Sequence, residues 1–100
     1  MIAVLFDCPG KTQAEYDAVA QELALMRKRL KEPGSVSPGI VAHIAGPTET
    51  GWRVIDVWES EEAFRRFSEE MLLPAFKHRG VMEAKPHIFP VYNFVRFQGP

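Results

Sequence analysis

The chain has almost no cysteine, no charge excess and no long hydrophobic run, and each shortage excludes something. One cysteine, Cys8, rules out an internal disulfide framework and a CxxC metal or redox pair, and it fits a reducing compartment. Cys8 itself reads as a structural residue, with a reactive thiol as the alternative. A formal net charge of -1, from 12 basic and 13 acidic residues, gives no reason to expect a polyanionic partner such as nucleic acid. The apolar N-terminal run stops at Asp7 and has no basic leader, so neither a signal peptide nor a transmembrane span is expected, and the expected location is cytoplasmic. The three histidines, His43, His78 and His87, lack ligand spacing to one another or to cysteine, so no metal is expected. No cofactor-binding motif is present either, and none is assigned.

What the chain does have is 46% apolar residues in 100 positions, enough for one domain, residues 1–100, burying roughly two thirds of its unfolded surface. Ile2 to Phe6 is a short apolar run closed by Asp7, Pro9 and Gly10, and reads as a buried strand and turn. Thr12 to Glu15 is a capping box, worth on the order of 1 kcal/mol, and opens a helix. Tyr16, Val19, Ala20, Leu23, Met26 and Leu30 form its apolar stripe, and Pro33 and Gly34 end it. EPGSVSPG, residues 32–39, is too rich in proline, glycine and serine for regular structure. A strand at 40–46, a turn over Pro47 to Gly51 and a strand from Trp52 to Glu59 then make an antiparallel hairpin. Ser60 caps a second helix with the stripe Phe64, Phe67, Met71 and Ala75, and Pro74 predicts a kink near Leu73. Lys77 to Pro86 reads as an irregular, solvated loop, and residues 87–97 as a last strand in which Pro90 implies an edge or a bulge.

The order is βαββαβ, an α+β ferredoxin-like arrangement with a four-stranded antiparallel sheet. Alternation puts apolar residues on both faces of the strands: Ile2, Val4 and Phe6 against Ala3 and Leu5, and Trp52, Val54 and Trp58 against Ile55 and Val57. Right-handed crossovers place both helices on one face, which leaves the other apolar face in need of cover. Pairing with a second copy through about 1,500 Å² or more is the economical solution, so the expected partner is the protein itself, as a homodimer.

The segment Val57 to Phe64, VWESEEAF, together with element order and length, resembles the dimeric α+β barrel superfamily, which includes the antibiotic-biosynthesis-monooxygenase-like proteins. The resemblance covers almost the whole chain. It implies sheets paired face to face and a site between sheet and helices, with a cofactor-independent monooxygenase acting on aromatic or polyketide-like substrates as one activity. A non-catalytic ligand-binding or stress-associated dimer is the alternative, and whether the chain is an enzyme is left open. The chain departs from the pattern where several members carry a histidine in the second helix, since Phe67 occupies the comparable turn.

By that resemblance Trp58 lines a pocket, and alternation places Val54 and Asp56 on its face. Asp56 is the conspicuous residue, because a carboxylate inside an apolar strand is costly unless it is satisfied. Three arrangements are open: a partner in Arg53, a partner in His43, or backbone donors. A His43/Asp56 pair would be a candidate acid–base couple, provided the hairpin register puts both on one face, since a one-residue slip separates them. The candidate site is therefore His43 and Asp56 for chemistry, with Trp58, Phe64, Phe67, Met71 and Tyr92 around a small apolar or aromatic ligand. Large aromatics on a sheet, Trp52 and Trp58 here, more often serve as core or dimer interface.

Overall fold

The computed structural model describes residues 1–30 and 37–97. Strand β1 (Ile2–Pro9) leads into helix α1 (Gln13–Arg29), followed by β2 (Ile40–Pro47) and β3 (Gly51–Trp58). A helical arm comes next: α2 (Glu61–Phe67), a π-helical turn (Ser68–Leu72) and α3 (Leu73–Arg79), before β4 (Pro86–Pro90). The sheet order is β2-β3-β1-β4 with every pairing antiparallel, which is the ferredoxin-like topology.

The local chemistry behaves as its residues dictate. Thr12 accepts from the Glu15 N–H while the Glu15 carboxylate accepts from the Thr12 N–H, so the capping box is complete. Helix α1 closes at Leu30, ahead of Pro33, and residues 31–36, which hold most of the expected loop, lie outside the described residues. Ser60 caps α2 by accepting from the Ala63 N–H. The break expected near Leu73 takes the form of the π turn. Pro74 has no N–H to offer Glu70, and the widened turn absorbs the missing bond before α3 resumes with the proline in its first turn. Gly80 then ends α3 in the left-handed conformation, at φ 64°.

Two expectations are corrected here. Lys77, His78 and Arg79 are the last turn of α3 and not a solvated loop, because His78 and Arg79 both donate to the buried carboxylate of Glu22 on α1. The last strand is shorter than residues 87–97: it ends at Pro90, opposite Ile2 at the start of β1, and beyond a single bond from the Val91 N–H to the Met1 carbonyl no strand follows among residues 91–97.

The core lies between the sheet and the helical arm, where Val4, Phe6, Cys8, Trp58 and Phe64 form one buried cluster. Trp58 is wholly buried and meets Phe64 edge-on at 5.8 Å between ring centres, with Phe67 at 5.1 Å. Burial pushes the Cys8 thiol up from its ordinary value, which suits a packing role. Gly51 starts β3 hard against the end of β1: a Cβ there would lie 2.2 Å from the Cys8 carbonyl oxygen, so no larger residue fits without moving a strand. The opposite sheet face carries Leu5, Ile44, Ile55 and Phe89 by register, of which Ile44 is 65% and Phe89 53% exposed.

Candidate functional site

A cavity of about 520 Å³ opens between α1 and the inner face of the sheet. Its walls are mainly apolar, with Val19 and Leu23 from α1, Val54 from β3, and Phe67, Leu72 and Phe76 from the helical arm. Such a volume takes a molecule of a few fused rings, and apolar walls with few polar groups are the usual setting for small-molecule recognition.

Three polar side chains from three elements meet on one wall. The hairpin register pairs His43 of β2 with Asp56 of β3, so both side chains leave the sheet on the same face. That register runs unbroken from Pro47 opposite Trp52 at the hairpin turn to Ala42 opposite Val57, and the irregularity at which Val41 is passed over lies beyond it. His43 Nδ1 lies 2.6 Å from Asp56 Oδ1, and His43 Nε2 lies 2.6 Å from the Tyr16 hydroxyl. Tyr16 is held by its place in α1, where its N–H donates to the Thr12 carbonyl at 3.1 Å, so the N-terminal cap of the helix sets the position of the phenol. Trp52 completes the corner, with its ring 5.5 Å from that of Tyr16.

The electrostatics follow from burial. The Asp56 side chain is 7% exposed and that of His43 is 43%, so the acid is sealed while the imidazole, on an edge strand, keeps an outlet to water. The bond to Asp56 raises the His43 pKa above its ordinary 6.5 by favouring the imidazolium, and burial opposes this less strongly. The Tyr16 phenol is also raised above its ordinary value, first by burial and then by the negative charges of Asp56 and Asp17, so it stays protonated near neutral pH. In the neutral state Nδ1–H donates to Asp56, which leaves Nε2 to accept the Tyr16 proton.

The residues singled out from the sequence fall into two groups. His43 and Asp56 are bonded to each other on the cavity wall, and Phe67 lines the cavity. Trp58, Phe64 and Met71 do not line it. Trp58 shares the face of Asp56, as alternation requires, but Phe64 and Phe67 cover it, and it is core. Met71 is buried away from the cavity wall, and Tyr92 stands fully exposed beyond the end of β4. Arg53 is not the partner of Asp56: it points to the outer face and pairs with Asp7 at 3.3 Å. Tyr16 is the residue that the sequence reading missed, being counted there as the first member of a packing stripe. Its signal was a hydroxyl at the head of that stripe. Among the described residues no cluster of histidine, cysteine or carboxylate side chains could hold a metal ion, and no helix is long and apolar enough to cross a membrane.

The architecture is similar to that of SnoaB, a cofactor-independent oxygenase from Streptomyces nogalater. A mutant form of SnoaB superposes with a TM-score of 0.56 at 22% identity, covering 94% of this chain and 93% of that one. A second SnoaB structure gives 0.55 at 20% identity, covering 94% and 92%. A candidate antibiotic-biosynthesis monooxygenase from Deinococcus radiodurans aligns over 98% of this chain and 96% of its own at 12% identity, but its TM-score of 0.48 is too low to carry weight. No protein-family model matches the sequence, and no curated protein matches it. The likeness to SnoaB shows a shared ferredoxin-like fold.

Proposed function

We propose that this chain is a cofactor-independent oxygenase of aromatic, polyketide-like molecules, in which the Asp56–His43 couple removes a proton from substrate held in the apolar cavity. The observation that carries this reading is the hydrogen-bonded acid–imidazole pair on the wall of a mainly apolar cavity. The shared fold of SnoaB supports the choice of oxygenase over other proton-transfer reactions. For an anthrone-type substrate, one ring methylene and one molecule of dioxygen give one ring carbonyl and one molecule of water. The base breaks a C–H bond, the resulting carbanion supplies the electrons that reduce dioxygen, and the substrate is its own reductant. His43 serves as the base because its imidazole is neutral above its pKa, and Asp56 fixes the tautomer and stabilises the imidazolium formed.

The working unit in this reading is a homodimer. Leu5, Ile44, Ile55 and Phe89 make an apolar face opposite the cavity, and a second copy is the self-complementary cover for it. The reading places the protein in the cytoplasm, where a lone buried thiol such as Cys8 stays reduced.

The direct test is 1,8-dihydroxyanthrone in air-saturated buffer, following quinone absorbance and oxygen uptake together. The protein should accelerate both in equal amounts, and His43→Gln should lower the rate by about a hundredfold to ten-thousandfold, the usual range for losing a general base. Binding of the anthrone without any rate above buffer would sink the oxygenase and leave a ligand-binding protein.

A further inference from the structure

The imidazole proposed as the base has no free nitrogen. Nδ1 is taken by Asp56 and Nε2 by the Tyr16 hydroxyl, both at 2.6 Å, so nothing in the cavity can hand a proton to His43 without displacing one of them. Displacing Asp56 would leave a sealed carboxylate without its hydrogen bond, which burial strongly disfavours. Displacing Tyr16 would pull its ring out of the corner it shares with Trp52 and with His43, at 5.5 and 6.1 Å between ring centres. Tyr16 itself lines the cavity.

Resting on the reading above, we infer that Tyr16 is a catalytic residue and the group that touches the substrate, the chain Tyr16–His43–Asp56 working as a proton relay. As the substrate C–H or O–H bond breaks, its proton bonds to the Tyr16 oxygen while the proton already on that oxygen moves to His43 Nε2. The products of the step are a substrate anion, a neutral tyrosine and an imidazolium held by Asp56, so charge and protons balance. No free tyrosinate forms. This fits a phenol whose surroundings, burial first and then the charges of Asp56 and Asp17, disfavour its anion. After the step Tyr16 donates a hydrogen bond to the new substrate anion, which a bare imidazole with both nitrogens engaged could not do. Lys11, Glu15 and Arg27 are the other charged groups of the wall, and no further hydrogen bond among the described residues reaches the Tyr16 hydroxyl.

The test uses a nitronaphthol, a flat phenol whose anion absorbs at longer wavelength, so that proton transfer is read without turnover. Wild-type protein should bind it and shift it to the anion below its solution pKa. Tyr16→Phe should bind it within about threefold of wild type, yet lower the bound anion-to-neutral ratio by about tenfold, equivalent to one pKa unit. Fluorotyrosine at position 16, in a Tyr92→Phe background because Tyr92 is the other tyrosine, should restore the ratio. A merely structural tyrosine would leave the apparent pKa of the bound probe unmoved. If Tyr16→Phe keeps or increases ionisation while His43→Gln abolishes it, His43 acts directly and the relay is overturned although the general-base reading stands. If wild type and His43→Gln bind the probe equally without ionising it, that reading falls and the relay with it.

Discussion

At the scale of single residues the decisive contact is the one between His43 and Asp56, and it makes the protein sensitive to pH in a defined direction. The folded-state pKa of His43 is raised above 6.5 chiefly by this hydrogen bond. A group raised in this way contributes stability that is complete below its unfolded value and is lost as pH rises through its folded value. Thermal unfolding of the wild type should therefore show a decline that begins above about pH 6.5 and ends past the folded pKa. Asp56→Asn keeps a hydrogen-bond acceptor but not the charge, so it should flatten that decline and bring the His43 pKa back toward 6.5, as followed by NMR titration of the ring protons. The rate of the oxygenase reaction should run the other way, rising with pH as His43 loses its proton. The sequence carried this pair because a hairpin with a short turn confines the register to a few choices, one of which joins the two residues. Tyr16 was not legible, since its contact crosses from helix to sheet and no periodicity states how far along the sheet a helix docks.

Among the elements, α1 and the helical arm are held to each other by a clasp as well as by packing. Glu22, 6% exposed on α1, accepts from Arg79 at 3.0 Å and from His78 at 3.2 Å, with Arg29 further off at 3.8 Å. These partners, led by the hydrogen bond from Arg79, hold the Glu22 carboxyl below its ordinary 4.5. The sign is opposite to that of His43: the clasp is complete above pH 4.5 and is lost as pH falls through the lower folded value. Acid titration of the wild type should give a loss of tryptophan-region circular dichroism below pH 4.5, and Glu22→Gln should shrink that acid-dependent step while lowering stability at neutral pH. The capping box of α1, the Ser60 cap of α2, the hairpin and the proline break were readable because each depends on a few neighbouring residues. Glu22 sits among residues that read as the polar back of the helix, and only the position of α3 turns that back into an interior. The short β4 teaches the same point from the other side, since alternation ran on past Pro90 while the partner strand, whose first residue Ile2 already faces Pro90, did not.

For the molecule as a whole, the question is what covers the second sheet face. Element order and two-sided apolar strands were enough to specify the ferredoxin-like arrangement, and the observed order β2-β3-β1-β4 is the one that arrangement requires. The proposed dimer follows from the same strands. Sedimentation equilibrium should give twice the chain mass of 11.3 kDa, and Ile55→Asp, which sets a charge at the centre of that face, should shift the protein to monomer. A wild-type monomer at micromolar concentration would remove the dimer while leaving the cavity and its relay in place.

The sheet order also governs how the chain comes off the ribosome. β1 is made first and lies between β3 and β4, pairing Ile2 with Trp58 on one side and with Pro90 on the other. At ordinary elongation rates it spends seconds with neither neighbour, an apolar strand with two open edges. The charged, well-capped α1 that follows it can fold locally in that interval, before any sheet exists to receive it. Nascent chains halted before Trp58 is made should therefore be the ones that engage chaperones most strongly. Those halted just before β4 should carry a three-stranded sheet with one edge of β1 still open to a neighbouring copy.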